Sequence, residues 1–205
     1  NEQLGKIITE LDNHLNDEIV KNLFVFGDVT STLAGAITAK NNNIRCFHVE
    51  AGLRSRNLDM PEERNRMMVD AICDKLYTPS SDAVQNLLSE NVAIEKIKNV
   101  GNIMIDTLVK NFDHIVSKEN FDPAEFSLER NYFVLTLHRP INLTDNNLKI
   151  IFDAVSQFTK DYDILIPAHP RLKDFVVKNN IDTKKFKVIN PQPYIKFLGL
   201  VNNST

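Results

Sequence analysis

Long apolar runs are absent from this 205-residue chain, and no stretch of about 18 apolar residues could serve as a membrane span. An excess of basic charge is absent too. Twenty-four Lys and Arg face 27 Asp and Glu, for a formal net charge of -3, with no long run of one sign, so composition gives no case for nucleic acid. Cysteine is scarce: Cys46 and Cys73 sit in apolar surroundings, read as buried free thiols, and form no CxxC or Cys/His spacing for zinc. There is no repeat or low-complexity tract. The opening NEQLGKIITELDNHL is an amphipathic helix and not a secretory leader, which points to a cytoplasmic setting. The chain starts without Met and stops at Asn203-Ser204-Thr205 after an apolar segment, so both ends are expected to be cut.

What is present is a regular alternation. Short apolar, β-rich runs at 22–26, 44–49, 75–78 and 97–100 alternate with helical patterns at 31–41, 61–72, 80–90 and 103–117. Thr30 or Ser31 is expected to cap the second helix, and Pro61 opens the third, where its missing N–H costs nothing. Met67, Met68, Ala71 and Ile72 fall on one face of that helix. Residues 118–130 are charged, lack a sustained period and read as a linker. The alternation resumes with strands at 132–138, 162–168 and 186–189 and helices at 145–159, 170–179 and 192–202. The expected fold is α/β: two Rossmann-like parallel-sheet domains, 1–117 and 131–205, with helices on both sheet faces and a ligand cleft between them.

The charged residues cluster where strands end. Asp28, in GDVTST, follows the first strand and either faces the ligand edge or caps the next helix. Thr30 and its neighbouring hydroxyls offer an anion seat, with too few glycines for a P-loop. Glu50 ends the adjacent strand. It either forms an acid/base pair with Asp28 or is salt-bridged to Arg54 or Arg56. Glu62, Glu63 and Arg66 fall in the first turns of the third helix, where helix dipole and an i,i+4 pair from Glu62 to Arg66 explain them as surface charge. Arg54 and Arg66 equally suit phosphate. His138 and Arg139 end the first strand of the second block, and His169 ends the next; each is open to a phosphate-site reading or to a plain turn. His48, in mid-strand, reads as a packed core residue.

The blocks GDVTST, HVEAGLRSRNLDMPEERNR, GNIMID, TLHRPIN, PAHP and NPQPY occur in the order found in non-hydrolysing UDP-N-acetylglucosamine 2-epimerases, and nearly the whole chain resembles that family. The block HVEAGLR followed by PEE-x-NR is the specific one; the hydrolysing relatives resemble HIEGGE there. The resemblance implies a GT-B-like pair of domains, both incomplete in this chain, and conversion of UDP-N-acetylglucosamine to UDP-N-acetylmannosamine. The implied route is anti elimination of UDP to 2-acetamidoglucal and re-addition, without cofactor or metal. Asp28, Glu50 and Glu62 match the family's acid/base carboxylates and His138 its catalytic histidine. Arg66, with Arg139, Thr30 and His169, would bind substrate. A homodimer is implied. HRPIN departs from the common HR-x-EN by placing Ile141 where a Glu is usual. The expected first βαβ segment and a later Asp-Ser-Gly-Gly segment are missing. A GT-B glycosyltransferase and an inactive nucleotide-sugar-binding module remain the rival readings.

Overall fold

The computed structural model describes residues 2–15, 20–117 and 122–205. The described chain divides into two compact units, Asn1–Asp106 and Thr107–Thr205. Of the expected 118–130 linker, residues 118–121 lie outside the described residues. Residues Pro123–Phe126 form a short 3-10 helix whose Phe126 is buried.

Unit 1 begins with α1 (Glu2–Leu15), then alternates β1 (Asn22–Phe26), α2 (Thr30–Asn41), β2 (Arg45–Val49), α3 (Pro61–Ile72), β3 (Lys75–Thr78), α4 (Ser81–Ser89) and β4 (Ile97–Asn99). The strands form one parallel sheet in the order β1-β2-β3-β4, with Val25 opposite His48 and His48 opposite Leu76. Side chains alternate across a strand, so Val25, Cys46, His48 and Leu76 share one face. That face meets Leu33 and Ala36 of α2, Val69 of α3 and Leu87 of α4 in a single core. Each buried Val or Leu among these contributes about 1.5–3 kcal/mol. Phe24, Phe47 and Tyr77 occupy the other face as a stack, with Phe24 and Phe47 centroids 4.7 Å apart. Among the described residues of unit 1 the buried apolar cluster thus lies on one side of the sheet, where helices were expected on both faces. Cys46 and Cys73 are free and buried, as expected, with Cys73 Sγ donating to Cys46 Sγ.

The expected helix over 103–117 is broken. It forms α5 (Ile103–Lys110) and α6 (Phe112–Val116), interrupted at Asn111. Asn111 bonds its side-chain amide back to the Thr107 carbonyl and so competes with the helix ladder.

Unit 2 continues with β5 (Tyr132–Val134), α7 (Asp145–Ser156), β6 (Asp163–Pro167), α8 (Pro170–Lys178), β7 (Lys187–Ile189) and α9 (Tyr194–Asn202), again parallel, in the order β5-β6-β7. Here both faces are covered. Ile164 and Ile166 pack with Leu148, Phe152 and Leu172 on one side. Leu165 packs with Phe126, Tyr132 and Leu200 on the other. The first strand stops three residues after it starts, short of the expected 132–138, although Leu135 N–H still donates to Leu165 O. The segment carrying His138 is therefore a loop.

Two local features of unit 1 differ from the sequence expectation and shape its strand-end edge. The N-cap of α2 is Val29, which makes no side-chain cap bond; neither Thr30 nor Ser31 caps it. The hydroxyl of Thr32 instead donates to Phe26 O at 2.5 Å. In α3, Met67, Met68 and Ala71 are exposed, and the buried residues are Glu63, Arg66, Val69 and Asp70. The helix turns a charged face inward.

Candidate functional site

At the C-terminal edge of the unit 1 sheet, β1 and β2 end side by side and deliver Asp28 and Glu50. Gly27 takes φ +67°, and a side chain there would meet the Glu50 carboxylate at 3.6 Å. Glu50 itself is left-handed at φ +72°, a conformation that costs a non-glycine residue about 1–3 kcal/mol and persists only where surroundings hold it. The Asp28 and Glu50 side chains are 24% and 45% exposed. Both can meet a ligand.

Arg66 lies between them. Its Nη1 is 2.8 Å from Asp28 Oδ2 and its Nη2 is 3.4 Å from Glu50 Oε1. The capping alternative for Asp28 and the Arg54 or Arg56 alternative for Glu50 do not describe these carboxylates. Glu50 turns to Arg66 rather than to Arg54 or Arg56, and Asp28 turns to Arg66 rather than serving as the N-cap of α2. Arg66 is also not spent on a surface pair with Glu62. Glu62 is exposed in the first turn of α3, with no ion pair or hydrogen-bond partner among the described residues. Arg66 Nε is buried and has no hydrogen-bond partner among the described residues. Thr30 opens α2 two residues past Asp28, at the same strand end. The Asn65 side chain donates to Asp28 O at 2.9 Å and fixes that loop from α3.

The rest of the 48–66 segment differs from its sequence reading. Arg54 is not free for phosphate. Its guanidinium is 3% exposed and donates to Glu90, Asp70 and Leu53 O. Burial pulls its pKa down, but the carboxylates of Glu90 and Asp70 outweigh that and raise it. Glu63 is not surface charge. It is 2% exposed and accepts from the N–H groups of Ser55 at 2.8 Å and Arg56 at 2.9 Å. His48 is buried as expected, yet both ring nitrogens are engaged: Nδ1 with Asp70 at 2.6 Å and Nε2 with Gly27 O at 2.8 Å. Sequence spacing gave no signal for the partners of His48 or for the carboxylates on Arg54, which lie 16 to 36 residues away.

Unit 2 carries a second cluster at its own strand ends. His138 follows β5, His169 follows β6 and Gln192 follows β7, and all three line an open pocket of about 180 Å³ together with Thr136, Pro167 and Phe197. The rings of His138 and His169 are 6.3 Å apart. His169 also shapes the turn, as its N-cap position on α8 shows: Nδ1 accepts from Arg171 N–H at 3.2 Å. Arg139 is exposed beside His138 and does not line this pocket. A larger hollow of about 430 Å³, between α7 and the residues after α8, touches none of these residues. Among the described residues no group of three or more His, Cys, Asp or Glu side chains is placed to hold a metal ion, and no helix is long and apolar enough to cross a membrane.

Comparison with known proteins agrees with this arrangement of parallel strands. The profile of the family described as UDP-N-acetylglucosamine 2-epimerase matches residues 1–205. A UDP-N-acetylglucosamine 2-epimerase of Methanococcus maripaludis is 35% identical over 216 residues, covering 99% of this chain and 58% of the relative. The crystal structure of the Methanocaldococcus jannaschii UDP-GlcNAc 2-epimerase in complex with UDP-GlcNAc and UDP superposes with a TM-score of 0.88 at 36% identity, over 99% of this chain and 58% of that one. That of Neisseria meningitidis bound to UDP-GlcNAc superposes with a TM-score of 0.86 at 27% identity, over 98% of this chain and 57% of that one. The chain thus spans a little over half the length of the relatives it matches. Its two Rossmann-like units are those of a GT-B-like fold, and by a match that runs from its first residue to its last the chain belongs to the UDP-N-acetylglucosamine 2-epimerase family.

Proposed function

We propose that the full-length protein epimerises C2 of UDP-N-acetylglucosamine to give UDP-N-acetylmannosamine. A base removes the C2 proton, the C1–O bond breaks on the opposite face, and UDP leaves as C1 and C2 become doubly bonded. A proton then returns to the other face of C2, and UDP adds back to C1. The C2 hydrogen is weakly acidic, so the route needs positioned carboxylates and a stabilised leaving group. The observation that carries this reading is the joint placement of Asp28 and Glu50, both partly exposed, around the single guanidinium of Arg66. Asp28, Glu50 and Glu62 divide the proton transfers between them. His138 serves as the catalytic histidine, and Arg66, Arg139, Thr30 and His169 bind the substrate, Arg66 near its diphosphate. The liganded relatives from Methanocaldococcus jannaschii and Neisseria meningitidis support a UDP-sugar as the ligand. The protein is proposed to work as a cytoplasmic homodimer.

The test is incubation of the full-length protein with UDP-N-acetylglucosamine, followed by proton NMR. Appearance of UDP-N-acetylmannosamine supports the reading. Free UDP with no epimer, appearing only when a sugar acceptor is added, points to the glycosyltransferase instead.

A further inference from the structure

A buried network behind Asp28 and Glu50 takes no part in the proposed proton transfers. His48 is fully buried and Asp70 is 4% exposed. We infer that His48 and Asp70 are a positioning pair that holds the backbone of both carboxylates from inside the fold, which rests on the acid/base roles proposed for Asp28 and Glu50.

The geometry is specific. Gly27 O lies just beyond the β1–β2 pairing, and His48 Nε2–H donates to it at 2.8 Å. This bond fixes the carbonyl immediately before Asp28. On the other side of the ring, Nδ1 shares a proton with Asp70 Oδ1 at 2.6 Å. The second oxygen of Asp70 accepts from Gly52 N–H at 3.1 Å and from Arg54 Nη1 at 2.8 Å. One carboxylate therefore grips the chain two residues before Glu50, through His48, and two residues after it, at Gly52. Between those anchors Glu50 keeps its left-handed backbone, and Ala51 N–H is tied to Tyr77 O at 3.0 Å. A strained residue of this kind needs such flanking anchors.

Helix α3 supplies the ruler. Arg66 and Asp70 are four residues apart and lie on one helix face. Arg66 fixes the side chains of Asp28 and Glu50, and Asp70 fixes their backbones one turn further along. Neither His48 nor Asp70 reaches the ligand edge, so their effect passes through the two turns. A misplacement of about 1 Å at a reacting group can cost about 100-fold in rate.

The experiment compares Asp70→Ala, Asp70→Asn, His48→Ala and the double alanine variant of the full-length protein. It reads kcat and KM for epimerisation per folded molecule, together with hydrogen exchange at the amides of residues 27–28 and 50–54. Asp70→Ala should lower kcat about 100-fold with KM within about threefold. Asp70→Asn still accepts from Gly52 and Arg54 and pairs with a neutral imidazole, so it should recover at least about tenfold of that loss. The double alanine variant should be no worse than either single one, because the residues act as one unit. Exchange at both turns should rise in Asp70→Ala below the melting transition. Unchanged kcat per folded molecule, or an Asn variant no better than Ala, overturns the inference, as does unchanged exchange at both turns. A wild-type protein that makes no epimer counts against the proposed reaction, and the exchange data still decide whether the pair holds the turns.

Discussion

Arg66 and Asp28 meet at 2.8 Å across the end of the sheet, the guanidinium coming from α3 and the carboxylate from the loop after β1. The same guanidinium reaches Glu50, so one cation neutralises two carboxylates that would otherwise repel each other. Lysine offers a single ammonium point and cannot span both oxygens in a plane. Arg66→Lys should therefore reduce kcat for epimerisation by about 10- to 100-fold. Steady-state kinetics on the full-length protein check this; wild-type kcat in the Lys variant would show that Arg66 does not set the reactivity of the two carboxylates.

Glu63 makes a pH-dependent contribution. Burial alone would raise its pKa, but the Ser55 and Arg56 N–H groups and the nearby Arg54 charge outweigh that and hold it below the usual carboxylate range. A depressed folded pKa means stability that is fully present above the unfolded value, about 4.3, and is lost as pH falls through the folded value. Glu63→Ala leaves two loop N–H groups without their acceptor and should cost about 1–3 kcal/mol at pH 7. Urea denaturation of wild type and variant, repeated from pH 7 down to pH 3, should show the gap closing as the pH falls. A gap that stays constant with pH contradicts the assignment.

At Gly52 two constraints coincide. Its φ is +79°, and a Cβ there would sit 2.5 Å from Ala83 O of α4. Backbone cannot yield as a side-chain tip can. Gly52→Ala should destabilise the protein by about 2–4 kcal/mol, read as a drop in the denaturant midpoint at unchanged slope. A variant of wild-type stability would mean that α4 leaves room beside this loop for a side chain.

In unit 2, the buried phenol of Tyr132 donates to Leu200 O at 2.7 Å and ties β5 to α9. Burial pushes its pKa up to about 12. The raised value means its contribution is intact below about pH 10 and lost as pH rises through 12. Tyr132→Phe should cost about 1–2 kcal/mol at neutral pH. Thermal melts at pH 7 and above pH 10 check both the size and the sign.

Much of this fold was legible because its strands are short apolar runs that end in Gly or charge. The run 22–26 stops at Gly27-Asp28, and 75–78 begins and ends as its apolar pattern suggests. Asp28 and Glu50 were placed at adjoining strand ends by the same logic, and the register Phe26 to Val49 puts them there. What failed was the inference that charge faces water. By that rule Met67 and Met68 should be inside α3, and Glu63, Arg66 and Asp70 outside. The reverse holds because each buried charge has a partner outside its own helix: Ser55 and Arg56 in the preceding loop for Glu63, Asp28 for Arg66, His48 and Arg54 for Asp70. Pairing of this kind offsets the desolvation that otherwise keeps charges at the surface. Helix periodicity carries no trace of it. His48 shows the same limit, since its burial was expected and its two hydrogen-bond partners were not.

Movement of a proton at C2 of a UDP-N-acetylhexosamine by the strand-end carboxylates is tested most directly by solvent exchange. Wild-type and Glu50→Gln full-length protein are incubated with UDP-N-acetylglucosamine in deuterated water, and the C2 position is followed by NMR. Wild type should place deuterium at C2 of both epimers, and Glu50→Gln should lose that exchange with UDP-sugar affinity little changed. Epimerisation without solvent deuterium at C2, or exchange that survives in Glu50→Gln, would contradict a proton-transfer role for Glu50 at C2.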